Sequence, residues 1–153
     1  MSNVFNTPFE ISLRVLLILE ASVSNPLTVD MITAADFITV HGKEFGVHDN
    51  NLHGDNVYKF SEFTVRREMV KAATKSLGLD SLITVRYLAH GFAYALTASG
   101  AEYCKKLSCS YAKEYRANVV KTLLFLKNKT EQDVLNSIVK LSVGSLYKME
   151  KKA

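Results

Sequence analysis

The chain has 153 residues, 48% of them hydrophobic and 22% charged, with only two prolines. That length suits one domain with a real core rather than two, and the composition excludes extended disorder. The longest unbroken apolar run, Val15–Leu19, falls far short of the ~20 residues a membrane-spanning helix requires, so no membrane partner is expected.

The N-terminus lacks the basic-then-apolar layout of a secretory signal. Cys104 and Cys109 stand five apart in a helical-looking stretch, a spacing that fits neither a disulfide framework nor a zinc pair. A cytoplasmic location with free thiols is the expectation. The net charge of +4 hides an asymmetry, because residues 1–60 sum to −4 and residues 61–153 to +8. Such polarity suits a partner or polyanion on one side, or an ordinary solvated surface.

In chain order, Thr7, Pro8 and Glu10 form a helix start, with Thr7 at the N-cap and Glu10 completing a capping box. Ile11, Leu13 and Leu16–Leu19 make this first helix apolar on most sides, which predicts a central place in the core. "SNPL" ends it, and Thr28 caps a second helix over Val29–Val40. About 20 residues, His41–Lys59, then lack periodicity, and loops of such length are usually functional or mobile.

A third helix is predicted over Ser61–Leu77, with Phe63, Val70, Ala73 and Leu77 inward and Gly78 as its terminator. Leu82–Leu88 and Phe92–Leu96 read as a hairpin turning at His90-Gly91. Thr97 caps what reads as one long helix to Leu126, and Thr130 with Asp133 starts a last one. Helix, helix, helix, hairpin, helix, helix is the layout of a mostly α protein with a small β-hairpin: a winged helix-turn-helix with a C-terminal helical extension. The expected division is a winged-helix core at 1–96 and the extension at 97–153, either within the same domain or as an interface arm.

The chemistry-bearing candidates are few. His41, His48, Asp49, His53 and Asp55 could supply metal ligands, but they lie in an irregular loop without helical or turn spacing, and a polar loop explains them better. GxSxG, Walker and GxGxxG motifs are all missing, so neither catalysis nor a cofactor is expected.

Arg67, Lys71 and Lys75 recur every fourth residue on the third helix, and Arg86 on the hairpin adds charge. This is a candidate nucleic-acid contact, weak and nonspecific because the wing tip carries no cation. Arg66 projects with the apolar face, so it either pairs with Asp36 or Asp55 or snorkels from the rim. Tyr103, Leu107, Tyr111 and Tyr115, with Leu141 and Leu146 on the last helix, are candidate protein-interface residues.

Three separated blocks, "FNTPFEISLRVLLIL" (Phe5–Leu19), "ITAADFITVHGKEFGV" (Ile32–Val47) and "NLHGDNVYKFSEFTVRRE" (Asn51–Glu68), resemble the type 2 middle components of bacterial three-component ABC-ATPase systems. The likeness continues through "GFAYALTASGAEYC" and "YAKEY". His53, Gly54, Asp55 and Asn56 form its most specific signature, together with Arg66.

The resemblance implies a non-enzymatic adaptor that binds an SMC-like or RecN-like ABC ATPase and acts with an effector subunit. Such systems are implicated in defence against phages and plasmids, with Lamassu systems as relatives. The alternative is a stand-alone winged-helix transcriptional regulator that binds DNA.

Overall fold

A computed structural model describes residues 7–48, 52, 63–89 and 91–140. The described elements are α1 (Pro8–Ala21), α2 (Val29–Val40), α3 (Phe63–Leu79), β1 (Ile83–Leu88), β2 (Gly91–Leu96), α4 (Ala98–Lys105), α5 (Ser110–Leu126) and α6 (residues 131–140). The chain is thus mostly helical with one antiparallel hairpin.

The helix starts follow from their threonines. Thr7, Thr28, Thr97 and Thr130 each accept a hydrogen bond from the backbone N–H three residues on, satisfying one of the donors a helix leaves open. At Thr130 the box is reciprocal, since its own N–H donates to the Asp133 carboxylate at 3.3 Å.

The helix ends were less legible. α3 does not stop at Gly78 but runs to Leu79. The left-handed residue that ends it is Ser81, at φ 62°. Leu82 N–H donates to Leu77 O and Ser81 N–H to Gly78 O, the paired bonds of a Schellman turn with serine in the usual glycine position.

The single long helix expected after Thr97 is two helices. α4 ends at Lys105, and residues 106–109 redirect the chain before α5. The reason is tertiary. α4 packs on α1 and β2, whereas α5 crosses α1 and α2. Arg116 holds the corner, donating to the carbonyls of Cys104 and Leu107 at 3.0 and 3.1 Å and to Glu20 on α1 at 2.8 Å.

α2 is the axis of the molecule. Every residue from Ile32 to Val40 is buried, because α1, α3, α5 and β2 all pack on it. α5 adds Ala112, Tyr115, Val119 and Leu126 to the core that α1 and α2 form. The Thr39 and Thr122 hydroxyls are hydrogen-bonded to each other across the α2–α5 contact at 2.8 Å, and Thr28 at the head of α2 donates to Glu131 of α6.

The hairpin pairs Ile83 with Leu96 through Leu88 with Gly91. Its turn needs a glycine at 91, where φ is +131°, while His90 lies outside the described residues. Leu27, between α1 and α2, bridges to Tyr94 through two backbone hydrogen bonds, at 3.0 and 2.8 Å. That bridge lines up with β2 and leaves β1 at the rim.

Two glycines on helices give opposite expectations. A Cβ on Gly100 would stand 2.1 Å from the Leu82 carbonyl oxygen, so α4 can approach the foot of β1 only because residue 100 is glycine. Gly78 has open space around it and an ordinary helical backbone. Gly100→Ala should cost about 2–3 kcal/mol of unfolding free energy, the scale of overpacking. Gly78→Ala should add about 0.5–1 kcal/mol by helix propensity. Urea denaturation of both variants checks the pair, and equal effects would contradict this packing of α4.

Candidate functional site

Asp36 stands in the middle of α2 with 2% of its surface exposed. Three helices send it partners. Arg14 of α1 grips both oxygens, Nε to Oδ1 at 2.8 Å and Nη2 to Oδ2 at 3.1 Å. Arg66 of α3 donates through Nη1 to Oδ2 at 2.6 Å, and Tyr115 of α5 donates its hydroxyl to Oδ1 at 2.5 Å. Four donors on two oxygens saturate the carboxylate.

Burial by itself would raise the Asp36 carboxyl, but the charges of Arg14 and Arg66 outweigh it and hold the group well below the usual carboxylate range. Burial opposes the charge on Arg14 too, and Asp36 overcomes it, so the guanidinium stays firmly protonated. Burial first, and Asp36 beside it, push the Tyr115 hydroxyl well above its ordinary value. Tyr111, stacked on Tyr115 at 6.2 Å between ring centres, is pushed up to about 12, mainly by burial.

Among the described residues the cluster holds two cations and one anion, and Arg66 Nε has no hydrogen-bond partner. Its guanidinium lies 5.6 Å from the centre of the Phe37 ring, whose face takes up part of the excess charge.

Of the sequence candidates, Arg66 and Asp36 therefore meet directly. Arg66 is 4% exposed, which rules out the snorkelling alternative. His53, Gly54, Asp55 and Asn56 of the signature, the metal candidate Asp49, and Leu141 and Leu146 all lie outside the described residues. His41, once a metal candidate, is buried edge-on against Phe37 at 4.8 Å, and the His48 ring covers Gly42.

Tyr115 is wholly buried and unavailable at a surface of this chain, because its hydroxyl is committed to Asp36. Tyr103, Leu107 and Tyr111 are half-buried against the core. The large apolar side chains that α5 and α6 do expose are Val120, Leu124 and Val139.

The cation stripe divides as well. Arg67 Nε is bonded to Asp30 of α2 at 2.5 Å, and Glu68 lies 3.6 Å from its Nη1. Lys71 and Lys75 flank a groove against the hairpin, while Arg86 projects from the ribbon face opposite Val85. These four do not form one basic face.

Arg14 was missed. The available signal was an arginine in a helix apolar on most sides, a different signal from the projection with one apolar face that singled out Arg66.

Asp36→Asn would leave two guanidiniums facing each other without an anion, and should cost about 3–5 kcal/mol. Arg66→Met should cost less, because Arg14, Asp36 and Tyr115 remain mutually paired. Since the Asp36 value is lowered by folding, its contribution is complete above about pH 4 and is lost as pH falls through the folded value. Urea midpoints from pH 7 to 2.5 test both points. An Arg66→Met loss equal to that of Asp36→Asn would contradict the charge count.

No curated protein and no solved structure matches the chain significantly. The family model described as "ABC-three component (ABC-3C) system Middle Component 2" matches residues 4–147, which takes in every described element. The chain belongs to the Middle Component 2 family of ABC three-component systems.

Proposed function

We propose that the chain is a non-enzymatic adaptor that binds the SMC-like ABC ATPase of its system, alongside an effector, on a winged-helix scaffold. The setting would be a cytoplasmic, Lamassu-related defence complex acting against phages or plasmids. The observation that carries the reading is the family match over residues 4–147, since a middle component of an ABC system implies protein partners.

The architecture supports the scaffold part. A helix, a single bridging residue at Leu27, two helices and then a hairpin follow one another in winged-helix order. A non-enzymatic role is in keeping with the buried cluster among the described residues, in which Asp36, Arg14, Arg66 and Tyr115 close on one another.

The DNA-binding regulator is the weaker reading. Arg67 is engaged by Asp30, and on the described strands of the hairpin Arg86 is a lone cation among the exposed apolar Val85, Leu88 and Phe92.

The C-terminal helices are the proposed ATPase-binding surface, through different residues than the tyrosine spacing suggested. Val120 and Leu124 are neighbours one turn apart on α5, 52% and 66% exposed. They border a groove of about 670 Å³ that Leu27, Met31 and Leu123 also line.

When co-expressed with the ABC ATPase encoded beside it, the tagged chain should retain that ATPase on affinity purification. Val120→Asp combined with Leu124→Asp should reduce the retained ATPase about tenfold or more, with unchanged circular dichroism. A wild-type chain that retains none sinks the adaptor reading. A folded double variant that retains all of it moves the interface off α5.

A further inference from the structure

A bridging subunit needs a second contact surface, and the α3–β1 groove has a form that specifies its occupant. Leu82 O accepts from Thr97 N–H at 3.1 Å, and Tyr94 turns its N–H and C=O away from β1 toward Leu27. Antiparallel pairs alternate, so residues 84, 86 and 88 of β1 bond to β2, and residues 83, 85 and 87 direct theirs outward. Among the described residues, nothing pairs with that outer edge.

Edges are usually protected by lysine, proline or a bulge, and β1, "ITVRYL", contains no lysine or proline. It pairs with β2 residue for residue, without a bulge. Its apolar face extends past the body of the protein. Ile83 is buried at the foot, Val85 is 39% exposed, and Tyr87 at 77% is supported edge-on by Phe92 at 5.1 Å.

Beside this edge, the last turns of α3 close a groove of about 570 Å³. Ile83, Val85, Tyr94 and Leu79 give it an apolar lining, and Lys71 and Lys75 stand along it one turn apart. Neither lysine pairs with an acid among the described residues, in contrast to Arg67 one turn earlier.

We infer that β1 and this groove accept an extended, acidic-aliphatic segment of a partner protein as an added strand. The segment's backbone bonds to Val85 and Tyr87, its aliphatic side chains enter the groove, and its carboxylates meet Lys71 and Lys75. Strand addition at an open edge takes affinity from main-chain bonds and selectivity from alternate side-chain positions. A lysine pair beside an apolar lining selects acids interleaved with aliphatics. The inference rests on the adaptor reading only for the partner being a protein. The groove shares no lining residue with the α5 surface proposed for the ATPase.

The test uses the full chain and a defined probe, a capped ten-residue peptide in which valine and glutamate take turns at every second position with threonine between them, so that both residue types face the groove. The same peptide with lysine in place of glutamate and a 20-base-pair DNA duplex serve as controls. Fluorescence anisotropy should show saturable binding of the acidic peptide, about tenfold or more tighter than the lysine peptide. Lys71→Glu with Lys75→Glu, both at exposed positions, should weaken it by a similar factor.

In amide spectra, the Val85 and Tyr87 resonances should shift on binding and their hydrogen exchange should slow. Four results would overturn the inference: no saturable binding, equal binding of the two peptides, an unaffected lysine variant, or duplex DNA displacing the peptide. A chain that takes the peptide but fails to retain the ATPase keeps the groove and loses the adaptor; the reverse result loses the groove alone.

Discussion

A carboxylate cannot sit in the middle of a helix buried on every side unless cations come with it. Asp36 is that carboxylate, and its requirement shapes the molecule. α1 must present Arg14, α3 must present Arg66, and α5 must present Tyr115, all to the same two oxygens. Apolar packing around α2 tolerates small rotations and slides of its neighbours, because hydrophobic contact has no direction. Bonds of 2.5 to 3.1 Å do not. A buried pair of this kind adds little net stability over apolar residues of equal volume, and what it contributes is a penalty on every arrangement that leaves it open.

The charge asymmetry of the chain has a structural explanation in the same terms. Acids of the first 60 residues are bound by arginines from residues 61–153: Glu20 by Arg116, Asp30 by Arg67, and Asp36 by Arg66 as well as by Arg14. The contrast between a −4 segment and a +8 segment is therefore partly internal adhesion between α1–α2 and α3–α5, not a face prepared for a polyanion. Residue type follows location. The guanidinium, with a planar fork of donors, is used where carboxylates are half or wholly buried, and the lysines are left outside.

This division explains what could be read from the sequence. The four threonine caps were legible because a cap is a local device: the side chain, its own backbone and the residue three positions on decide it. The hairpin was legible for the same reason. Arg66 was found by asking where its helix face pointed, and Arg14 escaped because its helix is apolar on most sides and offers no single face from which to judge it.

The α4–α5 corner escaped for a different reason. Neither glycine nor proline marks residues 106–109. The break is imposed by two packing directions and held by Arg116, which lies in the next helix. Tyr115 shows the opposite error. Spacing put it in line with Tyr111 and Leu107, yet a tyrosine hydroxyl satisfies a buried acid as readily as it serves an interface. Only the position of Asp36 separates the two roles.

The surface inherits its character from what the interior has consumed. Once Arg66 and Arg67 are taken by Asp36 and Asp30, the cations left on the outer part of α3 are Lys71 and Lys75, both beside an apolar groove and an open strand edge. Two lysines one turn apart supply too few phosphate contacts for tight DNA binding, whose strength grows with the number of phosphates neutralised. Next to Val85, Leu79 and Tyr94 they act instead as selective rims, favouring carboxylates at the edge of an apolar contact. An arginine network that fixes the helices and a lysine pair that screens partners are thus two uses of one cationic segment. Which use each residue serves is set by whether an acid of the first two helices reaches it.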